Sequence, residues 1–389
     1  MSLEVSLVST RLNRLEIYDL ERKDIVYQNN LSSKAYHIID FMSSNIHNKE
    51  TDKEKKGLNE AVFDKTDISL DSALRPVSWN EYIGQNHIKE NLKILLAAAK
   101  ERKHTPEHLL FYGPPGLGKT TLAHLIAKET GTQMKSTSGP AIEKVGDLAA
   151  ILTNLSPGDI LFIDEIHRLN KTIEEVLYPA METRSLDIII GKGPSARTIQ
   201  LELPAFTLIA ATTRIAMLSA PLRSRFSGGT FRLEYYSPEE IEKIISRSAK
   251  ILGVSIPKDA EKMIAARSRS TPRTANFLLK RARDLAQIEK SDVTLGAVKK
   301  ALDLIGIDSL GLTRSDREFL SVIIDKFNGG PVGLGTLAAA LSEDQGTIEE
   351  VYEPFLLQLG LIERTPRGRS ATAKAYEHIG SKHSPKLAL

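Results

Sequence analysis

The sequence predicts an α/β chain: a parallel sheet flanked by helices, then a small all-helical domain, then a C-terminal winged helix. Between residues 72 and 236, short apolar runs alternate with helical periodicity, which implies a parallel sheet covered on both faces. Past Ser237 the pattern turns wholly helical, with Ser237 placed as N-cap and Pro238 at the first helical position. From residue 311 onward, three short helical segments precede a brief basic β segment, the order of a winged helix.

Residues 1–71 read as an N-terminal extension outside the main core. Gly57 is their one glycine, proline is absent, and the mixed-charge run at 48–56 (NKETDKEKK) reads as a solvated linker. Residues 34–43 (KAYHIIDFMS) can form a short amphipathic helix. The sheet domain, 72–236, opens with Ile88, Leu92, Leu95, Leu96 and Ala99 at helical spacing. Residues 108–112 (HLLFY) are an apolar strand, followed by a glycine-rich loop and a helix over 121–129. Residues 159–164 (DILFID) and 207–211 (TLIAA) are two further buried strands. Within 186–203, two apolar runs flank GKGP at 191–194 and read as a β-hairpin. The helical domain covers 237–310. The winged helix covers 311–389, with helices near 313–327, 334–341 and 347–359 before the segment 361–373.

Composition narrows the function classes. A chain of 389 residues allows two or three domains of about 100–200 residues each. Hydrophobic residues at 41% and charged residues at 26% exclude a disordered, collagen-like or disulfide-scaffold chain. No run approaches the roughly 20 apolar residues of a membrane helix. Glu4, Glu16 and Asp19 interrupt the N-terminus, so neither a secretory nor a transit peptide is expected. Without cysteine, disulfide and thiolate chemistry are excluded, which fits a cytoplasmic protein. Net charge is 52 − 49 = +3, so any nucleic-acid surface must be a local one.

The segment 113–120 (GPPGLGKT) matches G-x-x-x-x-G-K-[ST], after a strand and opening a helix, which is the context the motif needs. Glycines let backbone N–H groups approach phosphate oxygens, and the helix N-terminus favours the anion. Lys119 can reach the β- and γ-phosphates of ATP, and the Thr120 hydroxyl can ligate Mg²⁺. About 40 residues on, an apolar strand ends in Asp164, suited to Mg²⁺, and Glu165, suited to activating water. His167 lacks a second histidine at ligand spacing and reads as structural or phosphate-sensing. Thr212 or Thr213 can orient the attacking water, with Thr213 the candidate. Arg223 and Arg225 lie on a loop, where an arginine can stabilise transition-state charge, although a lone loop arginine is ordinary surface. Arg273 opens a helix of the second domain and can touch the γ-phosphate.

Taken in order, these blocks resemble the AAA+ ATPases, and more narrowly the RuvB family, bacterial ATPases that drive Holliday-junction branch migration. The likeness rests on GPPGLGKTTLAH from 113, ILFIDEIHRLN from 160, IGKGPSA from 190, LRSRF from 222, RSTPR from 269, GGPVGL from 329, VYEPFLLQ from 351 and RTPRGR from 364. It spans about residues 72–380 and draws on all three blocks. The resemblance implies an ATP-dependent DNA translocase of recombination and repair. It also implies a hexameric ring threaded by duplex DNA, a RuvA-like partner holding the four-way junction, and a RuvC-like resolvase in the wider complex. By carry-over, Leu74, Arg75, Ile83 and Tyr236 surround the adenine and ribose of ATP or ADP. Gly116, Gly118, Lys119, Thr120 and Thr121 cradle the phosphates, and Glu182, Thr183 and Arg184 match a nucleotide-proximal segment. Arg225 matches an arginine finger offered to the neighbouring subunit, and Arg273 a second sensor. Ile188, Ile189 and Ile190 match the tip that docks on RuvA. Arg364, Arg367 and Arg369 match a DNA-binding wing, where guanidiniums on a Gly- and Pro-shaped loop can meet phosphates of any sequence.

Three features depart from the family pattern. Residues 1–70 match nothing in it, and Ser270 stands where it usually has glycine. The stretch 227–231 is one residue longer than usual, which leaves Tyr235 as the alternative to Tyr236 at the base. Two rival readings are a clamp-loader ATPase, which would end in a helical collar, and a nucleotide-dependent DNA scaffold, which would not need Lys119, Asp164, Glu165 and Arg225 together. The basic 364–369 segment favours DNA translocation.

Overall fold

The computed structural model describes residues 70, 72–187 and 199–380 in full, and residues 5–10, 15–19, 24–28, 188–190 and 197–198 as backbone. The chain divides into two compact units, Met1–Ser69 and Leu70–Leu389. In the first, β1 (Val5–Thr10), β2 (Leu15–Asp19) and β3 (Asp24–Gln28) form an antiparallel meander, with Leu7 opposite Ile17 and Ile17 opposite Val26. The helix expected over 34–43 and the charged run at 48–56 lie outside the described residues.

The second unit is built on a five-stranded, all-parallel sheet. Its strands are β4 (Leu109–Tyr112), β5 (Met134–Ser138), β6 (Ile160–Asp164), β9 (Thr207–Thr212) and β10 (Gly229–Arg232), in the order β10-β4-β9-β6-β5. Side chains alternate between the two faces of a strand. Leu109, Phe111, Ile160, Phe162 and Ile209 enter one core, and Leu110, Leu161, Ile163 and Leu208 enter another. Helices cover both faces, so the central strands read as continuous apolar runs. Asn86–Glu101 and Lys119–Thr130 contribute to the first core, Val145–Thr153 and Lys171–Glu182 to the second. The expected hairpin is β7 (Ser185–Ile190) against β8 (Arg197–Glu202), with Ile188 opposite Ile199. The side chains of Ile188, Ile189 and Ile190, the expected docking tip, lie outside the described residues.

Four helices follow: Pro238–Ile251, Lys258–Arg267, Pro272–Ile288 and Leu295–Leu304. The first starts at the predicted place, where Ser237 Oγ accepts from the Glu240 N–H and the Glu240 carboxylate accepts from the Ser237 N–H, with Pro238 leading. Ile241, Ile245, Leu278 and Val298 from these helices belong to the same apolar cluster as Leu109 and Phe111. This four-helix domain, the lid of the sheet domain, therefore shares a core with one face of the sheet.

The C-terminal domain has a core of its own around Phe319, Ile323, Leu337, Leu356 and Ile362. Its helices begin at Arg314, Leu334 and Gln345, the last running on to Gln358. The antiparallel pair β11 (Ile362–Thr365) and β12 (Gly368–Ala371) forms the wing, and the helix Ala373–Ile379 closes the domain. No helix among the described residues is long and apolar enough to cross a membrane.

Candidate active site

Three central strands deliver their polar ends to one rim of the sheet, where ligands bind in open α/β folds. After β4 the chain turns through Gly113, Gly116 and Gly118 with φ of +138°, +81° and +97°. A Cβ on Gly113 would stand 2.7 Å from the Leu233 carbonyl oxygen, so no other residue fits without moving backbone. The loop runs into the N-terminus of Lys119–Thr130, whose first N–H groups have no partners within the helix. The Lys119 Nζ donates to the carbonyls of Gly113 (2.8 Å) and Pro114 (2.9 Å). Burial pulls its amine below the ordinary lysine range, while Glu165 and Asp164 pull it back upward.

Behind this loop lies a cavity of about 610 Å³, the size of a small-molecule site. Leu74, Arg75, Ile83, Gly116, Gly118, Lys119, Thr120, Thr121, Asp164, Glu165, Tyr236 and Arg273 all line it. Tyr236 is buried, and its hydroxyl donates to the Leu117 carbonyl at 3.1 Å. Burial pushes that phenol up to about 12. Tyr236 lines the cavity while belonging to the apolar core, and Tyr235, partly buried against that same core, does not line it.

Glu165 directly follows β6 with φ +48°, a left-handed conformation that is strained for a residue with a side chain. Its Oε2 accepts from the Thr213 N–H (3.3 Å) and hydroxyl (3.1 Å), and lies 3.1 Å from His167 Nδ1. Thr212 is fully buried and is bonded to His167 (2.9 Å) and to the Arg214 N–H (3.0 Å). Of the two threonines, Thr213 alone meets the acid. Thr120 and Asp164 face the cleft together, one hydroxyl and one carboxylate. These are hard oxygen donors of the kind Mg²⁺ takes when phosphates supply further ligands. No group of three or more metal-binding side chains occurs among the described residues, so the fit is to a phosphate-borne ion rather than an all-protein cage.

Arg225 and residues 182–184 stand elsewhere, and the arginine pair is not on a loop as expected: Arg223 lies in a short helix, Ala220–Ser224, with Arg225 capping its C-terminus. Arg225 pairs with Glu182 at 3.1 Å, donates to the Pro221 carbonyl at 2.7 Å and lies 4.3 Å over the Tyr178 ring. Neither Arg225 nor Glu182, Thr183 and Arg184 lines the cavity of their own chain. Arg273 does line it, and its N–H reaches the Gly116 carbonyl at 3.4 Å, tying lid to loop.

Sequence reasoning missed Arg247. From the first lid helix it donates to the Leu74 carbonyl (2.8 Å), the Arg75 carbonyl (3.2 Å) and Glu81 (2.7 Å). It thereby clamps the segment expected at the base. No local signal marks a contact made across more than 160 residues of sequence.

The three wing arginines are not equivalent. Arg364 lies opposite Arg369 in the β11–β12 register, and both guanidiniums close on Glu353, which has no exposed surface. Arg369 also reaches Glu349 at 3.4 Å. Arg367, at the exposed turn, has no ion pair among the described residues. Glu353, the acid that organises the pair, was not assigned from the sequence, because its partners lie on the β11–β12 hairpin and not on its own helix.

Comparison with known proteins gives one answer along the chain. Residues 74–233 match the Holliday junction DNA helicase RuvB P-loop domain, 236–308 the RuvB AAA lid domain and 309–380 the RuvB C-terminal winged helix domain. A Holliday junction branch migration complex subunit RuvB from Chloroflexus aggregans is 56% identical over 318 residues, 82% of this chain and 91% of the relative. The protein of the same description from Dehalococcoides mccartyi is 56% identical over 328 residues, 84% and 94% of the two chains. Among solved structures, the Thermotoga maritima RuvB Holliday junction branch migration motor matches with a TM-score of 0.72 at 48% identity, covering 79% of this chain and 98% of that one.

Proposed function

This chain belongs to the RuvB family of Holliday-junction branch-migration ATPases, and from that premise we propose how its residues divide the work. It is an ATP hydrolase coupled to DNA translocation, and its P-loop domain binds nucleotide. The observation that carries the division of roles is the separation of Arg225 and its neighbours from the cavity lined by Lys119, Asp164, Glu165 and Arg273. One subunit holds most of a site and offers the missing arginine outward. A head-to-tail interface, closing into a ring, completes it.

In that ring, a homohexamer, ATP lies between adjacent subunits. Leu74, Arg75, Ile83 and Tyr236 hold the base and ribose, while Gly116, Gly118, Thr120 and Thr121 hold the phosphates. Lys119 leaves the carbonyls of Gly113 and Pro114 for the phosphate oxygens. Thr120 and Asp164 hold Mg²⁺, which when bound neutralises phosphate charge. Glu165 takes the proton of the attacking water, with Thr213 fixing its carboxylate. Arg225 from the next subunit, presented beside Glu182, Thr183 and Arg184, stabilises the charge that develops on the γ-phosphoryl group. Arg273 registers loss of that group and passes it to the lid.

Duplex DNA of a four-way junction passes the wing, where Arg364, Arg367 and Arg369 set a sequence-independent phosphate surface. In this reading Ile188, Ile189 and Ile190 of the hairpin dock on a RuvA-like junction-binding partner, and a RuvC-like resolvase joins the wider complex. The cytoplasm is the compartment in which such a complex meets chromosomal DNA.

The test is ATP-driven branch migration on a synthetic four-way junction, with and without a RuvA-like partner, comparing the chain with Glu165→Gln. Junction dissociation that needs ATP, rises with the partner and vanishes in the variant supports the reading. Hydrolysis without junction movement, partner present, would favour a loader or scaffold instead.

A further inference from the structure

The winged-helix domain is joined to both halves of the ATPase, by contacts of different strength. On the lid side, the Arg269 guanidinium closes on Asp316, which is fully buried, and lies 4.7 Å over the Phe355 ring. On the sheet side, the Arg214 guanidinium meets the carboxylate of Glu350, with the two side chains 33% and 51% exposed. A buried pair of the first kind resists separation, whereas an exposed pair of the second kind opens easily. The DNA domain is therefore held more firmly to the lid than to the sheet, and the Arg214–Glu350 pair bridges the looser of the two boundaries.

Both ends of this pair are placed to matter. Arg214 directly follows Thr213, the residue that meets Glu165. Its own N–H is tied to Thr212, which is bonded in turn to His167. Glu350 lies on the helix that also carries Glu349 and Glu353, the two acids that hold Arg369 and Arg364 of the wing. We propose that Arg214 and Glu350 are positioning residues that couple the hydrolytic centre to the DNA wing of the same subunit. The pair is formed at one lid angle and broken at another. This inference rests on the functional reading above and names the contact through which that motor transmits force.

The test uses the full chain with its junction partner and measures, for each variant, basal ATPase, ATPase with junction DNA, and junctions dissociated per ATP. Glu350→Arg is expected to keep basal ATPase and duplex affinity. It should lower junctions per ATP about fivefold, the low end of coupling between distant sites. Arg214→Glu is expected to show the same loss of junctions per ATP, and the double exchange Arg214→Glu/Glu350→Arg to regain most of it. Glu350→Gln, a milder change on a half-exposed residue, should give a smaller loss of the same kind and guards against misfolding. Unchanged junctions per ATP in the single variants, or a double exchange as poor as its parents, overturns the proposal. If the unmodified chain hydrolyses ATP yet moves no junction, the functional reading fails on its own. The pair is then judged by DNA stimulation of ATPase, where loss in the single variants and recovery in the exchange supports coupling and no loss overturns it.

Discussion

Arg369→Ala and Arg367→Ala remove the same charge from the same wing, yet the structure predicts opposite consequences. Arg369 is one of two guanidiniums on Glu353, whose carboxylate is wholly buried. Breaking a buried pair outright costs about 3–5 kcal/mol, because a charge is left without a partner. Here Arg364 remains on Oε2 and only Oε1 loses its arginine. About half of that cost, roughly 2 kcal/mol, is therefore expected. At 1.36 kcal/mol per tenfold, local opening becomes about 30 times more frequent. A three-domain chain has no single unfolding transition, so the assay is hydrogen exchange of peptides covering 345–371 in the intact protein. Arg367 makes no ion pair among the described residues, so Arg367→Ala should leave exchange unchanged. It should instead weaken DNA binding and reduce the slope of log affinity against log salt by about 1. The reasoning is refuted if Arg369→Ala exchanges within about threefold of the parent, or if Arg367→Ala accelerates exchange equally.

Other outcomes follow from single contacts. Arg225→Ala should still form rings but lose ATPase activity, and doping it into parental rings should lower activity more than in proportion; strictly proportional activity would show that Arg225 acts within its own subunit. Ser270 holds φ +54°, a conformation costing roughly 1 kcal/mol or more for a residue with a Cβ, partly offset in Ser270→Gly by the freer unfolded chain. That variant should therefore be locally more stable by about 0.5 kcal/mol, slowing hydrogen exchange around residue 270 about twofold, and faster exchange there would mean that the serine hydroxyl has a role of its own. His108 accepts from the Leu208 N–H at Nδ1 (2.8 Å), which requires the neutral ring, and burial lowers its pKa. The unfolded chain then binds the proton more readily. The stability term is complete above about pH 6.5, the ordinary histidine value, and is lost as pH falls through the lower folded value. Hydrogen-exchange protection around residues 106–112, corrected for the intrinsic rate and followed from about pH 7.5 downward, should fall more steeply for the parent than for His108→Gln, and parallel curves would contradict the assignment.

The sheet was legible where it is buried and silent where it is not. β4, β6 and β9 occupy the middle, so every face of them is apolar and the runs at 108–112, 159–164 and 207–211 stand out. β5 (MKSTS) and β10 (GTFR) are the two edges, half wetted and without periodic signal, and both escaped the sequence reading. The closing helix Ala373–Ile379 escaped as well, being too short for periodicity to show. The P-loop was readable because its chemistry is local: three glycines, a lysine and a threonine in eight residues. Arg247, Arg214 and Glu353 were not assigned, because each draws its meaning from a partner distant in sequence or on another element. The N-terminal meander lies in a segment whose hydrophobic alternation is too brief to separate from a linker.

The two ways in which the appended domains join the sheet also bear on modularity. The lid cannot be exchanged for a foreign one without rebuilding an interior that Ile241 and Leu278 share with Leu109 and Phe111. The DNA reader, folded around its own Phe319 and Leu356, could be grafted off near residue 308 and replaced, leaving the hydrolytic engine intact. A chimera that kept only acidic partners for Arg214 and Arg269, at the places of Glu350 and Asp316, would show how little of the native reader the engine recognises.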